Sequence, residues 1–197
     1  NPRVTGRRHR DPAAREVDRH RAPPGQTGRV MEIRRATVED AEAIRAIYNV
    51  EVTGSTVTFD LVPRTAEEQV AWLVERSGAY AVLVAEDDDG TVLGFGSLSP
   101  FRDRPAYSTT VEDSVYVGRD RRGTGVGRAL LEALVATATA HGFHTVIARI
   151  VGGHDASIAL HRKVGFEIVG TEREVGRKMG KWLDVVVMQR LLDPEPG

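Results

Sequence analysis

The stretch "RDRRGTGVGRALLEAL", Arg119–Leu134, contains a glycine-rich turn that leads directly into an apolar segment with helical spacing. Its glycines, Gly123, Gly125 and Gly127, alternate with small residues. A turn of this kind at a helix N-terminus directs several backbone N–H groups outward and adds the positive end of the helix dipole. Because glycine has no Cβ atom, an anion can approach the backbone closely. The stretch therefore predicts a loop that binds a phosphate-bearing ligand at the start of a helix.

The spacing of the glycines argues against two well-known nucleotide loops. The P-loop pattern G-x-x-x-x-G-K-S/T needs a lysine after the last glycine, and an arginine stands there instead. The dinucleotide pattern G-x-G-x-x-G does not fit G-x-G-x-G, and no second parallel strand ends in an acidic residue suited to a ribose. Arg122, Gly125 and Gly127 instead fit the pattern Q/R-x-x-G-x-G/A. The loop therefore fits a third pattern, distinct from these two nucleotide-binding loops.

Composition and charge are those of one ordinary globular domain with an appendage. The chain has 197 residues, of which 41% are hydrophobic and 28% charged, with a net charge of -1. This charge gives no reason to expect a nucleic-acid partner or a membrane surface. The absence of cysteine excludes disulfides, a cysteine nucleophile and cysteine metal sites, and fits a reducing cytoplasm. No apolar run approaches the ~18 residues that span a bilayer, so we expect a soluble protein. We also expect it to be cytoplasmic and to need no metal.

Residues 1–30 differ in composition from the rest of the chain. They are rich in arginine and nearly lack large apolar side chains, so they cannot bury enough surface to offset the entropy of ordering. We expect a disordered tail there, and three interpretations stay open: a basic arm for nucleic acid, an organelle-targeting peptide, or a plain extension ahead of Met31. Residues 31–192 form the expected domain, and residues 193–197 a short C-terminal tail.

From residue 31 onward, strand and helix patterns alternate. The periodicity predicts strands at 31–36, 79–87, 91–101, 110–118, 144–151, 166–170 and 182–192, and helices at 37–52, 65–77, after the glycine loop to about 142, and 155–164. Thr65 and Glu68 form a capping box, Asp155 is expected to cap the last helix, and Gly165 to end it. The order β-α-α-β-β-β-α-β-α-β-β predicts an α/β fold around a mixed sheet rather than a βαβ repeat.

Three segments, taken with the loop, resemble the GCN5-related N-acetyltransferase (GNAT) superfamily. "HDASIALHRKVGF", residues 154–166, follows the next strand as a second motif does in that superfamily. "TVEDSVYV", "SIALHRKVGF" and "VGRKMGKWLDVVVMQ" are similar to its phosphinothricin and methionine sulfone/sulfoximine acetyltransferases. The resemblance spans residues 31–192 and implies the acyl-CoA N-acyltransferase fold, a mixed, mostly antiparallel central sheet flanked by helices. It also implies transfer of acetyl from acetyl-CoA to the primary amine of a small amino-acid-like compound.

The resemblance implies how acetyl-CoA would be held. Backbone groups of the strand before the loop would pair with the pantetheine arm like an added strand, and the loop N–H groups would hold the pyrophosphate. His154 stands where the superfamily usually has asparagine, and an imidazole can still donate one hydrogen bond. The implied cofactor-binding residues are Val115, Tyr116, Val117, Arg122, Gly123, Thr124, Gly125, Val126, Gly127, Arg128, His154 and Ser157.

Two residues are the implied catalytic groups. Glu112, which alternates with Ser114 and Tyr116 along its strand, would be the general base that takes the ammonium proton, directly or through water. His161 stands where many members have a tyrosine and would be the general acid near the departing thiolate. The alternatives are a solvated strand carboxylate for Glu112 and a histidine that only packs or hydrogen-bonds for His161.

The implied substrate residues lie mainly in two loops. Arg102 matches a substrate-binding arginine of the methionine sulfone group, and Phe101 stands where tryptophan is usual; a cation suits the carboxylate and tetrahedral oxygens of such substrates. The segment "GRKMGKWLDV", residues 176–185, shapes the site and a dimer interface in that group, so a homodimer is implied. Two alternatives stay open: another amine, such as a polyamine or a peptide N-terminus, or a protein that binds acetyl-CoA without catalysis. The full substrate set is Thr56, Phe59, Phe101, Arg102, Asp103 and Glu112.

Overall fold

The computed structural model describes residues 31–76 and 78–192, so the predictions made for segments 1–30 and 193–197 lie outside the described residues. The strands are β1 (Met31–Arg35), β2 (Val82–Asp87), β3 (Val92–Pro100), β4 (Thr110–Val117), β5 (Thr145–Val151), β6 (Glu167–Lys178) and β7 (Lys181–Leu191). The helices are α1 (Ala41–Gly54), α2 (Ala66–Val74), α3 (Val126–Ala140) and α4 (Asp155–Lys163). Among the described residues, no helix combines the length and apolarity needed to cross a membrane. The order of elements confirms the predicted mixed α/β fold.

The strands form a single sheet in the order β1-β2-β3-β4-β5-β7-β6. Every neighbouring pair is antiparallel except β4 and β5, which are parallel. That parallel pairing starts at Thr110 with Thr145 and ends at Asp113 with Ala148, after which the two strands diverge. Beyond this point, within residues 31–76 and 78–192, β4 pairs with β3 alone and β5 with β7 alone. The sheet is therefore forked near its centre, between β4 and β5.

Helices cover both faces of the sheet. α1 and α2 pack on one face, around Phe95, and α3 and α4 pack on the other, around Leu134. Successive strand residues point to opposite faces, so on β4 Val115 packs into the α3 core and Tyr116 into the α1 core. The same alternation places Glu112 on the α1–α2 face.

Helix ends follow local sequence rules with one exception. Thr65 Oγ1 accepts a hydrogen bond from Glu68 N at 3.1 Å, and the Glu68 carboxylate accepts one from Thr65 N at 2.8 Å, which confirms the capping box of α2. Asp155 is not the cap of α4: the N-cap residue is His154, and Asp155 is the first helical residue, where its charge still suits the helix dipole. Gly165 ends the helix with a φ of +82°, a left-handed conformation typical of that position.

The C-terminal hairpin is longer than the sequence predicted. β6 continues to Lys178 instead of ending near residue 170, and it pairs with β7 across a turn at Met179 and Gly180. Most residues of this edge strand are exposed, so it lacks the apolar alternation that identifies a half-buried strand. Lys178 is 5% exposed, and its Nζ donates to the carbonyl oxygen of Thr58 at 2.8 Å. The hairpin is thereby anchored to the loop between α1 and α2.

Candidate active site

A cavity of about 680 Å³ lies where β4 and β5 diverge. Its wall comprises the open edges of both strands, the glycine-rich loop and the start of α4, and it includes Tyr116 from one face of the sheet and Leu160 from the other. The cavity therefore reaches both faces. The sequence-predicted residues that line it are Val115, Tyr116, Val117, Arg122, Gly123, Gly125, Gly127, Arg128, His154, Ser157 and His161.

The glycine-rich loop has the backbone geometry of an anion site. Gly123 and Gly125 have φ angles of +77° and +94°, and no atom of the described residues lies within 4 Å of where either Cβ would stand, so conformation rather than crowding calls for glycine. Gly125 is the N-cap residue of α3. Ala129 N donates to Gly125 O at 3.1 Å, so the amides just before Ala129 have no partner within the helix. These amides are available to a phosphate group.

The side chains of two predicted loop residues contact other parts of the protein. Thr124 Oγ1 donates to the carbonyl oxygen of Arg121 at 2.6 Å, which closes the turn. The side chain of Val126 is 2% exposed and packs in the core under α3. Each of them can therefore contact a ligand through its backbone.

Two of the arginines around the loop share one carboxylate, and a third pairs with another. Arg119 Nε and Arg122 Nη2 both donate to Oε1 of Glu51, each at 2.8 Å, whereas Arg128 Nε donates to Glu132 Oε1 at 2.8 Å on the surface of α3. Glu51 lies near the end of α1 and is 3% exposed. Burial alone raises the pKa of its carboxyl, but the arginines and a hydrogen bond from a serine outweigh burial and hold it below its ordinary value. Glu51 was not predicted from the sequence, because nothing in a helical carboxylate indicates a partner so distant in the chain.

Glu112 lies on the α1–α2 face, beside the cavity rather than in its lining. It stands opposite Ser99 of β3 and is half-buried. Burial raises the pKa of its carboxyl above the ordinary value; Arg149 opposes this shift, and the negative charges of Asp113 and Glu172 add to it. A carboxyl with a raised pKa is a stronger base near neutral pH.

His161 lines the cavity from the α3–α4 face and is 4% exposed. Its Nδ1 lies 2.8 Å from the carbonyl oxygen of Ser157, and its Nε2 lies 3.1 Å from Oδ2 of Asp113. Burial alone lowers the pKa of the imidazole, and the hydrogen bond and charge of Asp113 more than offset this, so the pKa is raised overall. Asp113 was missed by the sequence analysis, although the alternation that places Glu112 on one face places Asp113 on the other.

The predicted substrate residues after β3 form a small stacked group. The ring centroids of Phe101 and Tyr107 are 5.5 Å apart, and the guanidinium carbon of Arg102 lies 4.8 Å and 5.5 Å from these two centroids. Arg102 and Asp103 are exposed. The group lies in the loop that leads into β4, and so close in the chain to Glu112.

The loop between α1 and α2 contains the two weaker candidates. Phe59 packs so closely on the hairpin that a Cβ at Gly176 would lie 2.5 Å from its ring. Thr56 is half-buried, and its neighbour Val57 is the residue of this loop that lines the cavity. The loop thus reaches the cavity through Val57, a residue that was not predicted from the sequence.

A second group of cations on the α1–α2 face was also missed. Arg64 and Arg76 lie against Trp72, with guanidinium carbons 4.8 Å and 4.3 Å from its ring. Arg76 Nη1 donates to Ser99 Oγ at 2.9 Å, and Ser99 is the strand partner of Glu112. Lone arginines near helix ends are usually solvated, so no pattern in the sequence indicates that these two approach the site.

Comparison with known proteins agrees with this arrangement. A family profile described as "Acetyltransferase (GNAT) domain" matches residues 33–187. An L-methionine sulfoximine/L-methionine sulfone acetyltransferase of Pseudomonas aeruginosa is 45% identical over 163 residues, which cover 82% of this chain and 95% of that protein. The crystal structure of a ribosomal-protein-alanine N-acetyltransferase from Brucella melitensis matches with a TM-score of 0.80 and 42% identity, over 82% of this chain and 99% of that one.

A third similar protein was solved with a ligand. It is a GNAT superfamily phosphinothricin acetyltransferase from Sinorhizobium meliloti in complex with AcCoA, with a TM-score of 0.79 and 40% identity, over 85% of this chain and 94% of that one. These matches span nearly the whole described domain, and they confirm the resemblance inferred from the loop and the strand before it. The chain therefore belongs to the GNAT acetyltransferase family.

Proposed function

We propose that this GNAT enzyme transfers the acetyl group of acetyl-CoA to the primary amine of a small amino-acid-like substrate, of the phosphinothricin or methionine sulfone/sulfoximine type. The observation that carries the proposal is the cavity at the β4–β5 fork, with the glycine-rich loop at its rim. The names of the Pseudomonas and Sinorhizobium relatives support the substrate class.

The open edge of β4 suits an extended, amide-containing arm. Past Asp113 no described residue pairs with the strand on its β5 side, so the N–H and C=O groups of Val115, Tyr116 and Val117 that point there can pair with a ligand as with another strand. The free amides of the loop, with Gly123 and Gly125 left bare, suit the pyrophosphate. We assign acetyl-CoA to this path; it supplies the acetyl group as an activated thioester.

Glu112 is our candidate for the general base. An amine attacks only when neutral, so an ammonium substrate must first lose a proton. The half-buried carboxylate of Glu112 has a raised pKa and stands beside the fork on the α1–α2 face. His161, our candidate acid, faces the fork from the opposite side of the sheet. The base and the acid therefore act from opposite faces and do not exchange the proton directly.

Cationic side chains on the segments around β4 support an anionic substrate. Arg102 is exposed in the loop that leads into β4, Arg76 is hydrogen-bonded to Ser99 beside Glu112, and Arg149 lines the cavity. A carboxylate and tetrahedral oxygens would form charge-assisted hydrogen bonds with such groups. A polyamine would be repelled by them, whereas a peptide N-terminus, suggested by the name of the Brucella protein, stays the second candidate.

The test is CoA release by the full chain with a panel of amines: phosphinothricin, methionine sulfone, methionine sulfoximine, spermidine and a peptide with N-terminal alanine. A thiol reagent can follow the reaction without background, because the protein contains no cysteine. We expect turnover with at least one of the first three compounds and none with spermidine. Turnover of the peptide alone would replace the substrate class, and no turnover with any amine would overturn the proposal.

We further propose a homodimer in the cytoplasm. The lack of cysteine supports a reducing compartment. Support for the dimer comes from large apolar side chains that stay 44–61% exposed on the C-terminal hairpin: Ile168, Val169, Val175, Met179 and Trp182. Light scattering on the full chain should give twice the monomer mass, and Trp182→Glu should shift it toward the monomer. A wild-type monomer at assay concentration would refute the dimer.

A further inference from the structure

Asp113 and His161 form a buried pair on the α3–α4 face, at the point where the fork begins. Asp113 is the last residue of β4 that pairs with β5, through Ala148, and His161 reaches it from α4. Their side chains are 1% and 5% exposed, and both residues line the cavity. The pair is thus shielded from bulk solvent yet open to whatever occupies the fork.

The acceptors around the imidazole decide its protonation state. Nδ1 lies 2.8 Å from the carbonyl oxygen of Ser157, and Nε2 lies 3.1 Å from Oδ2 of Asp113. A carbonyl oxygen can only accept a hydrogen bond, and so can an ionised carboxylate. With Asp113 ionised, each ring nitrogen has to donate, which requires the doubly protonated ring. The Ser157 hydroxyl lies 3.5 Å from Nδ1, too far to replace the carbonyl as its main partner.

The charges around the pair favour the same state. A lone buried charge is costly, whereas an oppositely charged, hydrogen-bonded partner offsets that cost. Among the described residues, Asp113 is the one carboxylate that hydrogen-bonds to the ring. The other charged groups on the elements packed around the pair are Glu112 and Arg149, on the opposite face of the sheet, Arg128 and Glu132 on α3, Asp155, Arg162 and Lys163 on α4, and Arg190 of β7, which donates to the carbonyl oxygen of Val164.

We propose that Asp113 is a positioning residue that keeps the His161 ring doubly protonated and fixed at the fork. The doubly protonated His161 and the ionised Asp113 together hold one proton more than a neutral histidine beside an ionised carboxylate. Oδ1 of Asp113 is buried and has no hydrogen-bond partner among the described residues, so the bond between Oδ2 and His161 Nε2 has to offset the cost of burying this carboxylate. His161 is then an acid because of Asp113, and it would pack as a neutral ring without it.

Nitrogen-detected NMR of the histidine rings in the ¹⁵N-labelled full chain tests this directly. His161→Gln identifies the ring signals, and the spectra are followed from pH 5 to 9. We expect the wild-type ring to stay doubly protonated above the pH at which an ordinary histidine becomes neutral. In Asp113→Asn, which keeps the shape but loses the charge, the ring should be neutral at pH 7. Asp88→Asn, in the exposed turn between β2 and β3, is the matched control and should leave the ring unchanged.

A kinetic arm shows whether the pair matters for catalysis, and this arm alone rests on the proposed function. In Asp113→Asn we expect kcat to fall about 10–100-fold, with the KM for acetyl-CoA within about twofold and the alkaline limb of the pH profile moved to lower pH. In a His161→Gln background the same substitution should have no further effect on kcat. A wild-type ring that is neutral at pH 6 overturns the proposal without any variant, and so does a ring titration unchanged in Asp113→Asn. An inactive enzyme with the expected ring titration would instead count against the proposed function.

Discussion

The two faces of the sheet meet at one cavity but are built from different chemistry. Along the glycine-rich loop, toward the α3–α4 face, the binding groups are backbone amides exposed by positive-φ glycines such as Gly125. On the α1–α2 face and in the loop that leads into β4 they are charged side chains, with Glu112, Arg76 and Arg102 contributed by three separate segments. A backbone site depends on conformation and tolerates changes of side chain, whereas a side-chain site changes with each residue. The first kind suits a ligand shared across a family, and the second a substrate that differs from member to member.

Glu51 connects the two regions. Its carboxylate holds Arg119 and Arg122 beside the glycine-rich loop, and its backbone lies at the end of α1, where the loop that carries Val57 to the cavity begins. Because both regions share this buried carboxylate, they are not independent. Substitutions on each face and at Glu51 therefore distinguish the contribution of each face from that of the link between them.

Replacing the base should have the largest effect. Glu112→Gln removes the proton acceptor and keeps the shape, so kcat/KM for the amine should fall about 10²–10⁴-fold. The KM for acetyl-CoA should stay nearly constant, since Glu112 lies outside the cavity lining. Initial rates at varied concentrations of each substrate measure both quantities. Glu32→Gln, an exposed carboxylate on β1, is the control.

The pH profile gives a second measure of the same residue. Burial raises the pKa of Glu112, and the base must be ionised, so the wild-type rate should fall as pH drops through that raised pKa. This acidic limb should disappear from the residual activity of Glu112→Gln. An unchanged profile in the variant would remove Glu112 as the base.

A substitution in the glycine-rich loop should weaken binding of the cofactor. Gly125→Val places a β-branched side chain at φ +94°, which should distort the free amides and weaken acetyl-CoA binding by about 10–100-fold in calorimetry. Gly90→Val is a matched control, because Gly90 also has a positive φ, +75°, with no atom within 4 Å of its Cβ position, in a turn away from the cavity. Both variants should lose stability from backbone strain. Equal affinity for acetyl-CoA in the two variants would refute the backbone site.

The difference between local signals and long-range contacts explains which features could be predicted from the sequence. The loop, the strand before it and the order of elements were predictable, because positive-φ glycines, alternation and capping boxes are local signals. Asp113, Glu51 and Arg76 were not, because their partners come from elements that only the tertiary fold brings near: α4, the loop after β4, and the end of β3. The long β6 was missed for a related reason, since an exposed edge strand needs no apolar alternation.

The connection between the faces should contribute moderately to stability. Glu51→Gln leaves arginine donors competing for one neutral amide oxygen, and we expect a loss of about 1–2 kcal/mol and a Tm lower by about 3–6 °C. The folded-state pKa of Glu51 is lowered, so its contribution is present above the ordinary glutamate pKa and is lost as pH falls through the folded-state value. The Tm difference from wild type should therefore shrink in acid. Glu42→Gln, at an exposed ion pair on the same helix, should change Tm much less; equal losses in the two variants would contradict a special role for Glu51.

The smallest effect is expected at Arg102, where exposure limits the strength of each contact. Its guanidinium stacks on Phe101 and Tyr107. These contacts leave the Arg102 side chain with fewer accessible rotamers than a free surface arginine has. Arg102→Ala should raise the KM for an anionic amino-acid substrate about 3–10-fold, with the KM for acetyl-CoA unchanged. The effect should weaken with added salt, and Arg102→Lys should recover part of it because the charge remains while the planar stack is lost. Arg104→Ala, two residues along the same exposed loop, is the control; if both alanine variants behave alike, the loop attracts the substrate by its summed charge and Arg102 has no role of its own.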